Sequence, residues 1–335
     1  MGLAPYGQPR FVEAIRELIH IAEDGSFHLD MRHFSYDKGQ RMFNKRFEEV
    51  LGRERRTLES PDMEEHYKDV ARSIQEITNE AMVKMAQNVM DKTGETRLCL
   101  SGGVALNCVA NGHILRETSV EELFIQPAAG DAGSAMGAAY VLWNQLLDKP
   151  RQPALPTPYL GPGYNAERIQ SDLDGYNAAY TVLPDNELYD RVAELVDGGK
   201  VVGWFQGRME WGPRALGHRT ILGDARHPDM RSIINMKIKM REGFRPFAPT
   251  ILEEHIQEFF QIDRPSPYML LVAPVQPEKD LPAITHVDGS ARIQSINRDQ
   301  DERYFDMLSA FYRRTGCPVI INTSMNVRGE PIVNT

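Results

Sequence analysis

Cysteine is scarce in this sequence, with three residues among 335: Cys99, Cys108 and Cys317. None of the three is spaced as in a metal-binding or redox motif. A sparse and odd count argues against a disulfide framework and fits a reducing compartment. The N-terminus also lacks a charged segment followed by an apolar one, which a secretory signal needs. We therefore expect a cytoplasmic protein.

Long hydrophobic runs are also missing. No apolar stretch approaches the ~20 residues that a membrane-spanning helix needs, so we expect no membrane partner. With 41% hydrophobic and 25% charged residues, the composition is typical of a globular protein. The length is sufficient for about two domains of ordinary size.

The sequence also lacks an overall excess of positive charge. The net charge of −9 makes a broad nucleic-acid surface, which is normally basic, unfavourable. Between Trp204 and Arg245, however, the sequence contains nine Lys and Arg residues but only four acidic residues. A local basic segment in an acidic protein indicates a site for a small anion.

A proline-rich segment divides the chain. Residues 148–159 read DKPRQPALPTPY, and repeated proline disfavours helix and removes hydrogen-bond donors. We place a linker at 151–158, between one domain at 1–150 and a second at 159–335.

Before the linker, apolar spacing predicts an α/β pattern. A strand, a glycine turn and a helix occur twice in succession, which is typical of nucleotide-binding α/β domains. The predicted elements are a helix over 62–91 that ends at Gly94, a strand over 97–100, a helix over 104–115, a strand over 123–126 and an alanine-rich helix over 134–147.

Gly102 and Gly103 lie between the predicted strand and helix of the first repeat, and Asn107 follows them. Glycine allows the backbone to approach a phosphate or ribose closely, and a helix N-terminus offers free N–H donors. A tight strand-to-helix turn without a ligand explains the same pattern equally well.

Asp131 lies between two glycines before the second helix, in PAAGDAG. A carboxylate at this place suits a hard cation. Aspartate is also a favoured N-cap residue, so a purely structural cap is the alternative.

After the linker we predict a strand over 200–205, a helix over 301–314 that Gly316 caps, and a strand over 318–321 that runs into Asn322. Arg208, Arg214 and Arg219 lie among glycines and a proline. Because such bends hold side chains away from regular helical positions, we expect these guanidinium groups to bind phosphate oxygens.

Further polar candidates lie beyond this arginine-rich segment. Ligands of open α/β sheets bind at strand ends, where several of these residues are expected. A solvated basic face is the alternative interpretation. These candidates are Lys237, Arg245, Arg292, Asn322, Ser324, Asn326 and Arg328.

Seven segments in order resemble the O-carbamoyltransferase family of antibiotic and nodulation-factor biosynthesis. They span nearly the whole chain, which makes the match specific. The segments are MGLAPYG, SGGVALN, PAAGDAG, GPRALGHRTIL, REGFRPFAP, THVDGSARIQ and INTSMNVRGEP.

The resemblance implies an α/β protein with a Kae1-like domain of the actin/Hsp70 type, followed by a YrdC-like domain with a twisted mixed sheet. It implies that ATP, with Mg, and carbamoyl phosphate form carbamoyl-adenylate. The carbamoyl group then passes to a hydroxyl of a small-molecule acceptor at a site that contains iron or another divalent metal.

The resemblance also assigns roles. Asp131 matches a metal ligand, and Gly102, Gly103 and Asn107 match a nucleotide-contacting turn. The residues that it places at the carbamoyl phosphate and ATP site are Arg208, Arg214, Lys237, Arg292 and Ser324 as catalytic groups, and Arg219, Arg245, Asn322, Asn326 and Arg328 as cofactor-binding groups.

The sequence departs from the family pattern at both ends. Family members begin well before MGLAPYG and carry a paired-histidine motif there, whereas His28 and His33 here are five residues apart. We therefore expect a fragment that lacks half of the Kae1-like domain and the extreme C-terminus, with an incomplete set of metal ligands. Threonylcarbamoyl transfer to tRNA and a non-catalytic, actin-like nucleotide-binding module remain as alternatives.

Overall fold

The computed structural model describes residues 1–56, 64–151 and 157–334. The chain forms two compact units. The first consists of Met1–Leu100 with Asn107–Phe124, and the second of Ser101–Leu106 with Ile125–Thr335. The linker expected at 151–158 lies mostly outside the described residues and stays a prediction.

The first unit is mainly helical. Its strands β1 and β2 pair antiparallel as a hairpin, and β3 pairs with β4 at the border of the unit. The elements are α1 (Val12–Arg16), β1 (Ile19–Ile21), β2 (Phe27–Leu29), α2 (Lys45–Val50), α3 (Glu65–Thr93), β3 (Arg97–Leu100), α4 (Cys108–Glu117) and β4 (Glu122–Ile125).

The long helix α3 organises the first unit. Its buried Met82, Ala86 and Met90 pack against Ala110 and Ile114 of α4, as apolar residues at steps of three or four should. The helix ends where the sequence indicates, because Gly94 takes the left-handed conformation with φ 69° and donates to the Met90 carbonyl.

The second unit is built on a six-stranded mixed sheet. The strand order is β5-β6-β10-β7-β9-β8, in which β7 and β9 are parallel and the other neighbours antiparallel. Its elements are α5 (Asp131–Val141), α6 (Ala166–Gly175), α7 (Asp185–Asp197), β5 (Val202–Phe205), β6 (Arg219–Asp224), α8 (Met230–Ile233), β7 (Ala248–Leu252), α9 (Ile256–Phe259), β8 (Leu271–Pro274), β9 (Ser290–Ile296), α10 (Glu302–Thr315) and β10 (Val319–Ser324). The mixed α/β class expected from the sequence is confirmed.

Helices α7 and α10 pack together and cover this sheet. Tyr304, Leu308 and Phe311 of α10 are fully buried in the main core. The Asp301 side chain caps α10 by accepting from Tyr304 N, and Gly316 ends the helix with φ 70°. The helix and both of its boundaries therefore agree with the sequence pattern to within one residue.

Several predicted boundaries differ from the structure. The helix predicted over 104–115 begins four residues later, as α4 at Cys108, and a 3-10 turn over Gly103–Leu106 precedes it. Helix α5 begins at Asp131, three residues before the predicted start, and continues after Val141 as a π-helical turn. Strand β10 does not stop at Ile321 but continues through Ser324, because Asn322 is paired on both sides by β6 and β7. Within the described ranges, no helix has the length and apolarity needed to cross a bilayer.

A buried polar network joins four strands on one face of the sheet. Asn322 Nδ2 donates to Gln294 Oε1 at 2.7 Å and to Thr250 Oγ1 at 3.2 Å, and Asn322 Oδ1 accepts from Thr220 Oγ1 at 3.0 Å. The Tyr304 hydroxyl of α10 adds a bond to Thr250 Oγ1. Because buried polar atoms cost free energy when they lose a partner, this network fixes the register of the sheet.

We predict that Asn322→Ala destabilises the second unit by about 2–4 kcal/mol, because it leaves partners of Asn322 buried and unsatisfied. All three tryptophans, Trp143, Trp204 and Trp211, lie in this unit, so urea unfolding followed by tryptophan fluorescence measures it. Thr323→Ala, on the opposite face of the same strand, should cost less than about 1 kcal/mol. Equal losses for both variants would contradict the structural role of the network.

We also predict opposite effects for two helix-terminal glycines. Gly316→Ala should destabilise by about 1–2 kcal/mol, because it places a Cβ on a left-handed residue. Gly175→Ala should stabilise by about 0.4–1 kcal/mol, because Gly175 is helical and has open space around its Cα. The same fluorescence assay checks both, and a shared sign would show that the caps are misassigned.

Candidate anion-binding site

Lys239 belongs to a group of basic side chains in the second unit. The residue follows the π-helical turn Ile234–Ile238 and is 4% exposed. Its Nζ donates to Asn326 Oδ1 at 2.8 Å, to the Asn326 carbonyl at 3.1 Å and to Ser324 Oγ at 3.2 Å, and it also contacts the Ser324 carbonyl. The ammonium group is therefore fixed at the end of β10.

Arg241 lies beside Lys239 and is also constrained. Its Nε donates to Asn235 Oδ1 at 2.8 Å, and its guanidinium lies over the Phe247 ring at 5.1 Å from the centroid. Burial and the charge of Arg241 lower the pKa of Lys239 to about 8. Burial and the nearby charge of Arg245 lower the pKa of Arg241 to about 10.

Three more arginines complete the group. Arg292, on β9, adds to the lowering of the Arg241 pKa, and its Nε is buried without a hydrogen-bond partner. Arg245 donates to Glu242 at 3.1 Å. Arg328 lies 3.5 Å from the Met240 carbonyl. We name the five side chains the basic cluster: Lys239, Arg241, Arg245, Arg292 and Arg328.

One carboxylate accompanies the basic cluster among the residues described above. The pKa of Glu242 is lowered by its own backbone N–H and by the charges of Arg245 and Arg328, against the opposing effect of burial. Five cations with one neighbouring anion repel one another. A multiply charged oxyanion, such as a phosphate ester, would relieve this repulsion and accept charge-assisted hydrogen bonds.

The structure brings together five of the residues that the sequence singled out: Arg245, Arg292, Ser324, Asn326 and Arg328. It does not bring Lys237 to them, because that side chain is exposed and Lys239, two residues later, makes the contacts with Ser324 and Asn326. The sequence indicated a basic stretch here, but spacing alone did not show which lysine faces inward.

Two of the predicted arginines bind protein groups instead. Arg208 donates to the carbonyls of Leu160 and Gly161 at 2.6 and 2.9 Å. Arg219 donates through Nε to Glu210 Oε2 at 2.9 Å and through Nη2 to the Glu210 carbonyl. Arg214 is half-buried in the loop between β5 and β6. These partners could not be read from the sequence, because they are distant or lie across a folded loop.

Glu210 organises the loop that carries these arginines. Its side chain is fully buried, and its Oε1 accepts from Leu216 N at 2.7 Å and from His218 N at 2.9 Å. Burial opposes ionisation, but the hydrogen bonds from Leu216 N, the Arg219 side chain and His218 N outweigh it and lower the Glu210 pKa. Glu210 is not among the residues singled out from the sequence. Its position as a single acid inside a basic, glycine-rich loop is the signal that could have identified it.

Gly217 and His218 seal the same loop. Gly217 has φ 115°, and a Cβ there would lie 2.4 Å from Tyr304 Cδ1. His218 stacks on Tyr159 with a centroid distance of 3.6 Å, and its Nε2 lies 2.8 Å from Asp301 Oδ2. The loop is therefore anchored to the N-terminus of α10.

The remaining candidates lie away from the basic cluster in sequence. Gly102 has φ 99°, donates to the Ala129 carbonyl at 2.8 Å, and has open space at its Cα, as Gly103 does. In the first unit, Asn107 caps α4 by accepting from Ala110 N and exchanges hydrogen bonds with Gln75. An approach of a ligand to the glycine turn stays a prediction.

Asp131 is exposed in the first turn of α5, where its negative charge interacts favourably with the helix dipole. The N-cap residue is Gly130. Within 1–56, 64–151 and 157–334, no three His, Cys, Asp or Glu side chains lie together as a metal site would require. The residues described here thus do not by themselves fit an iron centre, and the metal role of Asp131 stays a prediction.

Comparisons with known proteins bear on both units. A family model described as "Carbamoyltransferase N-terminus" matches residues 1–140, and one described as "Carbamoyltransferase C-terminus" matches residues 193–335. A solved structure of full-length HypF in its phosphate- and nucleotide-bound form covers 47% of this chain and 19% of that chain, with a TM-score of 0.34 and 19% identity, which is too low to carry an argument.

Three relatives illustrate the sequence similarity. An uncharacterized protein of Synechocystis sp. is 47% identical over 100% of this chain and 59% of its own length. Nodulation protein NolNO of Sinorhizobium fredii is 38% identical over 100% of this chain and 48% of its own. The 3'-hydroxymethylcephem-O-carbamoyltransferase of Amycolatopsis lactamdurans is 34% identical over 71% of this chain and 44% of its own.

This chain therefore spans 44–59% of the length of these three relatives. The two family models match its beginning and its end in the expected order, and the basic cluster lies within the second match. The chain belongs to the carbamoyltransferase family.

Proposed function

We propose that this chain supplies the part of an O-carbamoyltransferase that binds carbamoyl phosphate and ATP. In this proposal water hydrolyses carbamoyl phosphate to carbamate and phosphate, and a carbamate oxygen attacks the α-phosphorus of ATP and displaces pyrophosphate. The carbamoyl group of the resulting carbamoyl-adenylate then passes to a hydroxyl of a small-molecule acceptor, with release of AMP. The observation that supports it most directly is that Lys239 binds Ser324 and Asn326 at the end of β10, while Arg245 and Arg292 lie close enough to the neighbouring Arg241 to lower its pKa.

The basic cluster suits phosphoryl chemistry because that chemistry is largely a matter of charge. Phosphoryl transfer needs little covalent participation by the protein, and positioned cations stabilise the charge that develops in the transition state. Arg292 has a buried Nε without a partner, so it is ready to donate to a substrate oxygen. Lys239 positions Ser324 and Asn326 rather than only contributing charge.

The domain roles form part of the same proposal. Residues 1–150 would correspond to the C-terminal half of a Kae1-like domain and residues 159–335 to a YrdC-like domain, with cytoplasmic location. Gly102, Gly103 and Asn107 would contact nucleotide, and Asp131 would contribute one ligand to a divalent metal whose other ligands lie elsewhere. No catalytic step assigned here to the basic cluster depends on that metal.

Transfer of a threonylcarbamoyl group to tRNA uses related chemistry but suits this chain less well. A protein with a net charge of −9 repels a polyanion at long range, although the local basic cluster attracts a small one. The acidic surface thus supports a small-molecule acceptor.

We predict that the chain catalyses exchange of pyrophosphate with ATP only when carbamoyl phosphate is present, and that Arg292→Ala reduces this exchange by at least about 100-fold. Incorporation of labelled pyrophosphate into ATP measures it. Lys237→Ala provides the matched control, because it removes an exposed cation near the basic cluster and should leave exchange within about twofold. The proposal would be refuted if the exchange rate did not depend on carbamoyl phosphate, or if Arg292→Ala left the rate unchanged.

We also predict that anion binding weakens as pH rises through about 8, because the lowered pKa of Lys239 removes its charge there. Sulfate is a suitable probe, since its own charge is constant over this range. Its affinity measured by calorimetry should fall by about tenfold from pH 7 to pH 9. Lys239→Met should abolish this fall in affinity, and Lys237→Met should retain it. If the affinity still falls between pH 7 and pH 9 in Lys239→Met, Lys239 is not the group responsible.

A further inference from the structure

A cavity in the first unit, remote in sequence from the basic cluster, is lined by ionisable groups. Its volume is about 330 Å³, and Glu17, Arg32, His33 and Arg46 line it. Sites for small molecules occupy roughly 300–1,000 Å³, so this cavity matches a ligand at the small end of that range. With four polar lining residues, it suits a hydrophilic ligand.

Neighbouring side chains hold the Arg32 guanidinium and the backbone of Arg46 in place. Asp30 accepts from Arg32 N at 3.0 Å and from Arg32 Nε at 2.9 Å, which fixes that guanidinium. Asn44 Nδ2 donates to the Arg32 carbonyl at 2.9 Å, and Asn44 Oδ1 accepts from Arg46 N at 2.9 Å. One asparagine therefore ties together the two backbone segments that carry the arginines.

This arrangement rests on a small aromatic core. Phe47 of α2 stacks on Phe43 at 4.6 Å and meets Phe34 edge-on at 5.7 Å. The segment after β2 and the start of α2 are thus packed as well as hydrogen-bonded. A binding site whose backbone is fixed before the ligand arrives loses less entropy on binding.

The charges on the cavity wall are not all compensated by the protein. Asp30 pairs with Arg32, and the hydrogen bonds from Arg32 lower the pKa of Asp30. Neither Glu17 nor Arg46 forms an ion pair with another residue of the described ranges, although both line one cavity. His33 Nδ1 is buried, lacks a hydrogen bond and lies 3.7 Å from Asp30 Oδ2.

We propose that this cavity binds a small polyhydroxylated ligand bearing one oxyanion, either a carboxylate or a phosphate. The oxyanion lies against Arg46 and Arg32, whose guanidinium groups match carboxylate and phosphate oxygens. Hydroxyl groups of the ligand donate to Glu17, which accepts only. A bare anion would be attracted by Arg46 but repelled by Glu17, so the carboxylate selects a ligand with donors over inorganic ions. This inference does not depend on carbamoyl transfer.

The test is direct binding to the full chain, without ATP or carbamoyl phosphate. Glucose 6-phosphate and glucuronate serve as probes for the two oxyanions, with glucose and sulfate as controls, since sulfate has no hydrogen-bond donor. Calorimetry should give a Kd of about 1 mM or tighter for at least one charged sugar, and at least about tenfold weaker binding of glucose and of sulfate. The sugar that binds more tightly identifies the oxyanion.

Three variants locate the binding. Arg46→Gln should weaken binding of the charged sugar by about tenfold or more, since it removes the uncompensated guanidinium. Lys45→Gln removes the same charge one residue away, outside the cavity lining, and should change binding by less than about twofold. Glu17→Ala should weaken binding of the sugar but strengthen binding of sulfate, because it removes both a hydroxyl acceptor and a repulsive charge.

The opposite sign for the two ligands in Glu17→Ala is the decisive result. If that variant strengthens binding of both ligands, the cavity is a simple anion trap and the proposal is overturned. The proposal also fails if Lys45→Gln weakens binding as much as Arg46→Gln, or if neither sugar binds below about 10 mM. All three positions are at least partly exposed, and unchanged circular dichroism verifies the fold of each variant.

Discussion

Lys239 is confined at the end of β10, and the arrangement of charges around it depends on this confinement. Four oxygen atoms of Ser324 and Asn326 surround its ammonium group, so it cannot swing into solvent as lysines usually do. Its charge is therefore held next to that of Arg241, and Arg292 and Arg245 are close enough to lower the Arg241 pKa further. These positive charges repel one another, and the packing of the surrounding protein must hold them together. A bound oxyanion would relieve this repulsion.

The sheet provides that packing, and it separates residues that hold the fold from residues that remain available to a ligand. Asn322 and Ser324 lie on the same face of β10, yet Asn322 is saturated by Thr220, Thr250 and Gln294. Ser324, two residues later, lies where the network ends, and it contacts Lys239. The buried network around Asn322 and the polar contacts of Lys239 with Ser324 thus lie two residues apart on one face of one strand.

The same separation exists among the arginines. Arg219 is paired with the buried Glu210, whose ionised form is stabilised by two backbone N–H groups. This pair shapes the glycine-rich loop, whereas Arg292 keeps an unpaired Nε. Substitution of Arg219 should therefore reduce stability first, since it would leave Glu210 as a buried, uncompensated charge.

Sequence patterns predicted the long helices α3 and α10 well, only two of the six strands of the main sheet, and the site only in outline. Helices α3 and α10 were found because apolar spacing and a terminal glycine give the same boundary. Strands β6, β7 and β9 were not predicted. Their residues are buried on both faces or polar inside, as with Gln294 and Thr250, so a simple alternation is absent. The choice between Lys237 and Lys239 depends on a π-helical turn, which shifts side chains around the axis in a way that 3.6-residue periodicity does not anticipate.

The two candidate sites show how charge compensation sets selectivity for different anions. In the basic cluster, five cations are accompanied by Glu242, and the surplus favours ligands with several negative charges. In the first-unit cavity, the negative charges of Asp30 and Glu17 offset the positive charges of Arg32 and Arg46, so net charge contributes little attraction and hydrogen-bond donors of a ligand gain importance. The local balance of fixed charges, and not the net charge of the chain, therefore decides which anions each site favours.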